Sequence, residues 1–179
     1  MKRATVVSLL AVFLLLGSCK AIKKLGQFYV TYNTQAEFPA NIPVGLPLSI
    51  GSPPISTNSS QIFQNNNTRS DLIQSVKLNQ LVMTITSPHG ETFSFLQSVS
   101  VYISSDSLPE IELAGKQNIP ANIGDTLVLD VTDAELQNYI KASQIKIRIA
   151  GTTDKLTTSN IEVNLYTKFF VQANLLAFL

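Results

Sequence analysis

The chain is 179 residues long, enough for one domain of ordinary size, with 45% hydrophobic and only 14% charged residues. That apolar share excludes wholesale disorder. A formal net charge of +1, from 13 basic and 12 acidic side chains, leaves no electrostatic footprint for nucleic acid.

Met1-Lys2-Arg3 is a short basic start, and an apolar run follows from Ala4 to Leu16. At about 1.5 Å rise per residue such a helix reaches only ~20 Å, short of the ~30 Å hydrocarbon core. The pattern therefore predicts a secretory signal peptide rather than an uncleaved membrane anchor. Leu16-Gly17-Ser18-Cys19, directly behind that run, resembles the lipobox of bacterial lipoproteins: an apolar residue, two small residues, then cysteine. The resemblance implies a diacylglycerol thioether on Cys19, cleavage between Ser18 and Cys19, and acylation of the new amine as well. Two or three acyl chains at ~0.8 kcal/mol per buried methylene hold a protein to a membrane essentially permanently. Cys19 is also the one cysteine in the chain, so the exported body has no disulfide. Lys20 stands where an inner-membrane retention signal of some bacteria carries Asp. By that analogy the destination is the outer membrane, facing the periplasm, with surface exposure as the alternative.

Three units are expected: a signal peptide over 1–18, the lipidated cysteine and a short tether over 19–26, and a single folded domain over 27–179. Phe28 to Tyr32 is rich in β-formers. Five of the eight prolines fall between Pro39 and Pro54; they interrupt any helix and leave room only for short edge strands, Leu46 to Ile50 and Ile55 to Thr57. Asn58 to Ser70 reads as a polar, Asn-rich surface loop. Val76 and Leu78 alternate in one phase and Leu81, Met83 and Ile85 in the other, which predicts a bulge near Asn79-Gln80. Ser87 to Gly90 is a Pro/Gly turn. Phe93, Phe95, Val99, Val101 and Ile103 share a face opposite serines, the pattern of a half-buried antiparallel strand. Further strand patterns follow at Ile111 and Leu113, at Leu127 to Val131, at Ile145 to Ile149, and from Ile161 to Ala173. One helix is expected at about residues 133–142, opened by a Thr132/Glu135 capping box and striped by Leu136, Tyr139 and Ile140.

Short strands with turns at roughly ten-residue spacing predict an all-β, antiparallel, immunoglobulin-like β-sandwich with one short crossover helix. With one Cys and no Trp, only the architecture of antibody domains is implied, without their core. The competing fold is an outer-membrane barrel. It would place Lys146 and Arg148 in the lumen, because a cation facing lipid at mid-depth costs about 2–4 kcal/mol.

The chemistry-bearing residues are sparse. His89 is the sole histidine and lies in a turn, with no nucleophile elbow in the chain and no second His or Cys to share a metal. Asp130, Asp133 and Glu135 are close in sequence but lack the calcium-loop pattern. Lys146 and Arg148 read as charges on the wet face of a strand. No catalytic site, cofactor or metal is expected. Tyr29 and Tyr32, with Tyr102 and Tyr166, are candidate stacking platforms for a sugar. The C-terminal run from Phe169 to Leu179 ends without a polar tail; it is either a last core strand or an apolar docking segment. Phe178 and Leu179, with Tyr29 and Tyr32, are thus the candidate partner contacts. The function expected is a non-enzymatic interaction or assembly module of the cell envelope, held to the membrane through Cys19 and bound to an envelope protein. The alternatives are a carrier of an apolar ligand or lipid, and a glycan-binding module of an uptake system.

Overall fold

The computed structural model of the protein describes residues 26–174. Cys19, Phe178 and Leu179 lie outside the described residues.

In chain order the elements are β1 (Gln27–Phe38), β2 (Pro47–Gly51), β3 (Ile55–Ser56), α1 (Ser59–Asn65), β4 (Ile73–Ser87), β5 (Leu96–Ser105), β6 (Leu108–Lys116), β7 (Thr126–Val128), β8 (Asp130–Val131), α2 (Gln137–Lys141), β9 (Gln144–Thr153) and β10 (Ile161–Ala173). One sheet runs β1-β10-β4-β7; the second runs β2-β9-β5-β6-β8, with β3 also paired to β9. All pairings are antiparallel. The two sheets face each other as a β-sandwich, immunoglobulin-like in its layering.

Alternation generates this arrangement. Along β10, Ile161, Val163, Leu165, Thr167, Phe169 and Val171 are buried while their neighbours are partly or fully exposed. On β9, Ile145, Ile147 and Ile149 point inward in the same way. The two sets meet between the layers, with Phe38 packing edge-on against Phe95 at 5.3 Å. The bulge lies where the phase change demands it. Lys168 pairs with Gln80 and Phe169 with Leu78, so Asn79 is the extra residue, and Leu78 and Leu81 are both buried. The strand expected from Phe93 begins later: Phe93–Phe95 is a 3-10 turn whose two phenylalanines are buried, and Leu96 starts β5.

Among the described residues two α-helices are present where one is expected. The Asn-rich segment holds α1, whose Phe63 is completely buried and meets Phe28 ring edge to face at 6.3 Å. Its end is capped by asparagine: Asn67 takes φ +52, the amide of Asn67 donates to Gln64 O, and that of Thr68 donates to Phe63 O. This is a Schellman closure with Asn in the place usually held by Gly. The second helix, α2, is shorter than the pattern predicts and starts at Gln137. The capping box does not form, because both of its side chains bond elsewhere, Thr132 to the neighbouring strand β6 and Glu135 to β4 of the other sheet. The Thr132 hydroxyl donates to Glu112 O, and Glu135 accepts from the Val76 amide at 2.7 Å and the Ser75 hydroxyl at 2.7 Å. The passage from one sheet to the other is made earlier, between β7 on β4 and β8 on β6.

Candidate interaction surface

β1 begins one residue after Gly26, whose carbonyl accepts from the Ala173 amide at 2.7 Å. The start and end of the described chain therefore lie together at one end of the sandwich. The opposite end carries the 39–46 loop, stapled to the β9–β10 turn. Asn41 N donates to Thr157 O, Gly45 N donates to Thr153 O, and the hydroxyls of Thr153 and Thr157 donate to Pro43 O and Pro39 O.

Period two along β1 decides where its tyrosines go. Tyr29 faces outward and is 51% exposed. Its ring lies 5.4 Å from that of Phe170 and 4.2 Å from Lys168 Nζ, a cation–π arrangement. Tyr32, three residues on, is on the opposite face. Its ring packs edge-on against Phe169 at 5.9 Å, and its hydroxyl donates to Thr57 O at 2.8 Å. Burial raises its pKa to about 12. The two tyrosines therefore make no common platform. Tyr29's neighbour is Phe170, placed there by the β1–β10 register, in which Tyr29 is opposite Phe170. Sequence reading missed that neighbour because register between distant strands has no local signal. Lys168 and, opposite Phe170 on β4, Lys77 border this pair, and beyond them the face carries neutral polar side chains, Thr31, Asn33 and Gln35 on β1 and Asn164 on β10, with Tyr166 partly exposed between them.

The remaining candidates are dispersed. His89 stays in the turn before Gly90, which takes φ +88. Asp130 pairs with Lys116 at 3.0 Å, Asp133 with Lys77 at 3.3 Å, and Glu135 binds the start of β4. Burial pushes the pKa of Glu135 up, but hydrogen bonds from Val76, Ser75 and Gln137, with the charge of Lys77, outweigh it and hold the carboxyl below its ordinary value. Lys146 pairs with Asp106 at 2.7 Å. Arg148 donates to both oxygens of Glu110 and lies 4.3 Å from the Tyr102 ring centre. That hydrogen-bonded pair lowers the Glu110 pKa and raises that of Arg148. Among the described residues no three His, Cys, Asp or Glu side chains are grouped so as to hold a metal ion, and no helix is long and apolar enough to cross a membrane. A shallow cleft of about 500 Å³ lies between α1 and α2 and is lined by Ser60, Gln64, Arg69, Ser70, Asp71 and Lys141.

No family model matches the sequence, and no curated protein matches it. Among solved structures the chain is similar to the decameric BFDV capsid protein, at 10% identity and a TM-score of 0.38, over 83% of this chain and 98% of that one. It is also similar to FLHE, at 11% identity and a TM-score of 0.34, over 82% and 98% of the two chains. A third is desmodium yellow mottle tymovirus, at 13% identity and a TM-score of 0.29, over 82% of each. Likenesses this distant bring no function to the chain.

Proposed function

We propose that the protein is a lipid-anchored lipoprotein of the bacterial cell envelope that works as a non-enzymatic interaction module at the outer membrane, facing the periplasm. The observation that carries the reading is the Leu16-Gly17-Ser18-Cys19 motif directly behind an apolar run and only residues 20–26 ahead of β1. So short a tether keeps the body within about 25 Å of the lipid even when fully extended. Lys20, Lys23 and Lys24 lie in that stretch and add up to roughly 1 kcal/mol each near anionic headgroups. The partner surface favoured is the open outer face of the β1-β10-β4-β7 sheet, where Tyr29 and Phe170 stand beside Lys168 and Lys77 with neutral polar side chains beyond. Growth with a labelled fatty acid is expected to mark the wild-type protein, and Cys19→Ser to lose the label and the carbonate-resistant membrane fraction together. An unlabelled wild type would end the lipoprotein reading. For the face itself, Tyr29→Ala is expected to lower recovery of an envelope partner after crosslinking, while Tyr102→Ala on the other sheet leaves it unchanged.

One observation favours a second reading. An exposed Tyr29 backed by a half-buried Phe170, with Thr, Asn and Gln nearby, is also what a glycan-binding face requires, since the ring covers the apolar side of a sugar and the amides bind its hydroxyls. A glycan array with wild type and Tyr29→Ala separates the two. Signal that depends on Tyr29 favours glycan; no signal favours protein.

A further inference from the structure

Five strands bound the two sheets among the described residues, β2 and β3 sharing the β9 border, and they are not alike. β7 has three residues, β8 and β3 two each, and β2 five, the last opened by Pro47 and followed by Pro53. Where a bordering strand is longer than its short neighbour, other segments bind its open side. On β4, the Val76 amide donates to Glu135, Val76 O accepts from Leu136 N, Leu81 O accepts from Leu129 N, and Ile85 N donates to Asp125 O. On β6, Leu113 O accepts from Thr132 N and Pro109 O from the Tyr139 hydroxyl. On β9, Ile147 O accepts from Ser52 N and Thr153 O from Gly45 N.

β1 is the exception. It runs twelve residues, pairs with β10 in unbroken register, contains no proline, and carries a single charge, Glu37. Because the Ala173 amide bonds to Gly26 O, alternation turns the N–H and C=O groups of Gln27, Tyr29, Thr31, Asn33, Gln35 and Glu37 away from β10. Among the described residues none of these outward backbone groups has a partner. Long, regular, nearly uncharged edges are templates for an added strand, and proteins that stay single ordinarily blunt them with lysine, proline or a bulge.

We propose that β1 is a self-association edge: two copies pair β1 to β1 antiparallel, joining their four-stranded sheets into one of eight strands. Charge selects a second copy as the occupant. In the register that sets Asn33 opposite Asn33, Glu37 of each copy, with Glu162 beside it, comes opposite Tyr29 of the other, whose ring carries Lys168, so the carboxylate end of one edge meets the cation of the other. Space permits it as well. An open cleft of about 380 Å³ lies between Gln35–Glu37 of β1, with Glu162 beside them, and Ile50 and Gly51 of β2 with Pro53. The pairing does not depend on lipid attachment.

The test uses the full-length chain carrying Cys19→Ser, purified in detergent. Light scattering is expected to show a dimer, and a short bismaleimide to crosslink copies through Asn33→Cys but not through Thr126→Cys on the β7 edge. Thr31→Pro removes an outward donor at a site where edge strands tolerate proline, and is expected to give monomer with an unchanged far-ultraviolet spectrum. If that variant fails to fold, Thr31→Lys with Asn33→Lys sets like charges across the pairing and should weaken it roughly tenfold. A monomeric parent, crosslinking through Thr126→Cys in preference to Asn33→Cys, or a dimer untouched by the lysine pair would each overturn the proposal.

Discussion

A Cβ on Gly151 would stand 2.2 Å from Ser98 O and 3.2 Å from Val99 Cα. Both contacts are to backbone of the neighbouring strand, one pair beyond the place where the β5–β9 register shifts, so no side-chain rotation relieves them. Gly151→Ala is expected to cost about 1–3 kcal/mol, the range of overpacked cores, in a urea titration. Gly51→Ala, with nothing within 4 Å of the new methyl, should be neutral or slightly stabilising. Tyr32 makes a second residue-scale prediction. Its phenol stays neutral in the fold up to about pH 12, whereas the unfolded chain ionises near 10. A folded-state pKa raised in this way gives stability that is complete below pH 10 and is lost as pH rises through 12. Absorbance at the phenolate band is expected to show one late-titrating tyrosine, absent from Tyr32→Phe. A titration with no late component would contradict the buried placement.

At the scale of elements, the bond between Glu135 and the start of β4 does what the absent capping box cannot: it ties the approach to α2 onto the other sheet. The Glu135 pKa is lowered in the fold, so its contribution is present above the ordinary value of 4.5 and is lost as pH falls through the folded value. Glu135→Gln is expected to lose roughly 1–2 kcal/mol at neutral pH, with the gap to wild type closing on acidification. A gap independent of pH would contradict the ionised bond. For α1, the expected cost of Phe63→Ala is about 3–5 kcal/mol, with hydrogen exchange over residues 58–70 rising first; protection unchanged there would mean that the helix does not depend on its one buried ring. These two elements also mark how far the sequence could be read. The Asn79 bulge was legible because Val76, Leu78, Leu81 and Met83 cannot all be buried without it. The α1 helix was not, since Phe63 is its one fully buried apolar residue, with only Ile62 half-buried beside it amid Ser, Gln and Asn, and docking, not helix propensity, holds it. The Thr132 and Glu135 partners were hidden for the same reason: they are backbone groups of Glu112 and Val76, which no local pattern reveals. The separation of Tyr29 from Tyr32 was available from parity alone, as positions three apart on a strand face opposite ways.

The whole molecule combines a closed interior with an unequal exterior. Short or covered edges bound it on three sides, while β1 and the outer sheet face beside it carry exposed aromatic and neutral polar groups next to the end where the chain enters. A protein so built gains from being held near one surface, because tethering raises the local concentration of anything it meets there. The anchoring claim on which this rests is a statement about one sulfur atom. Mass spectrometry of the N-terminal fragment from the protein isolated out of its native membrane tests it most directly. The expected fragment starts at Cys19 with a diacylglyceryl group on Sγ and shows no trace of residues 1–18. A fragment that starts at Met1, or one that starts near residue 19 with an unmodified thiol, would contradict it.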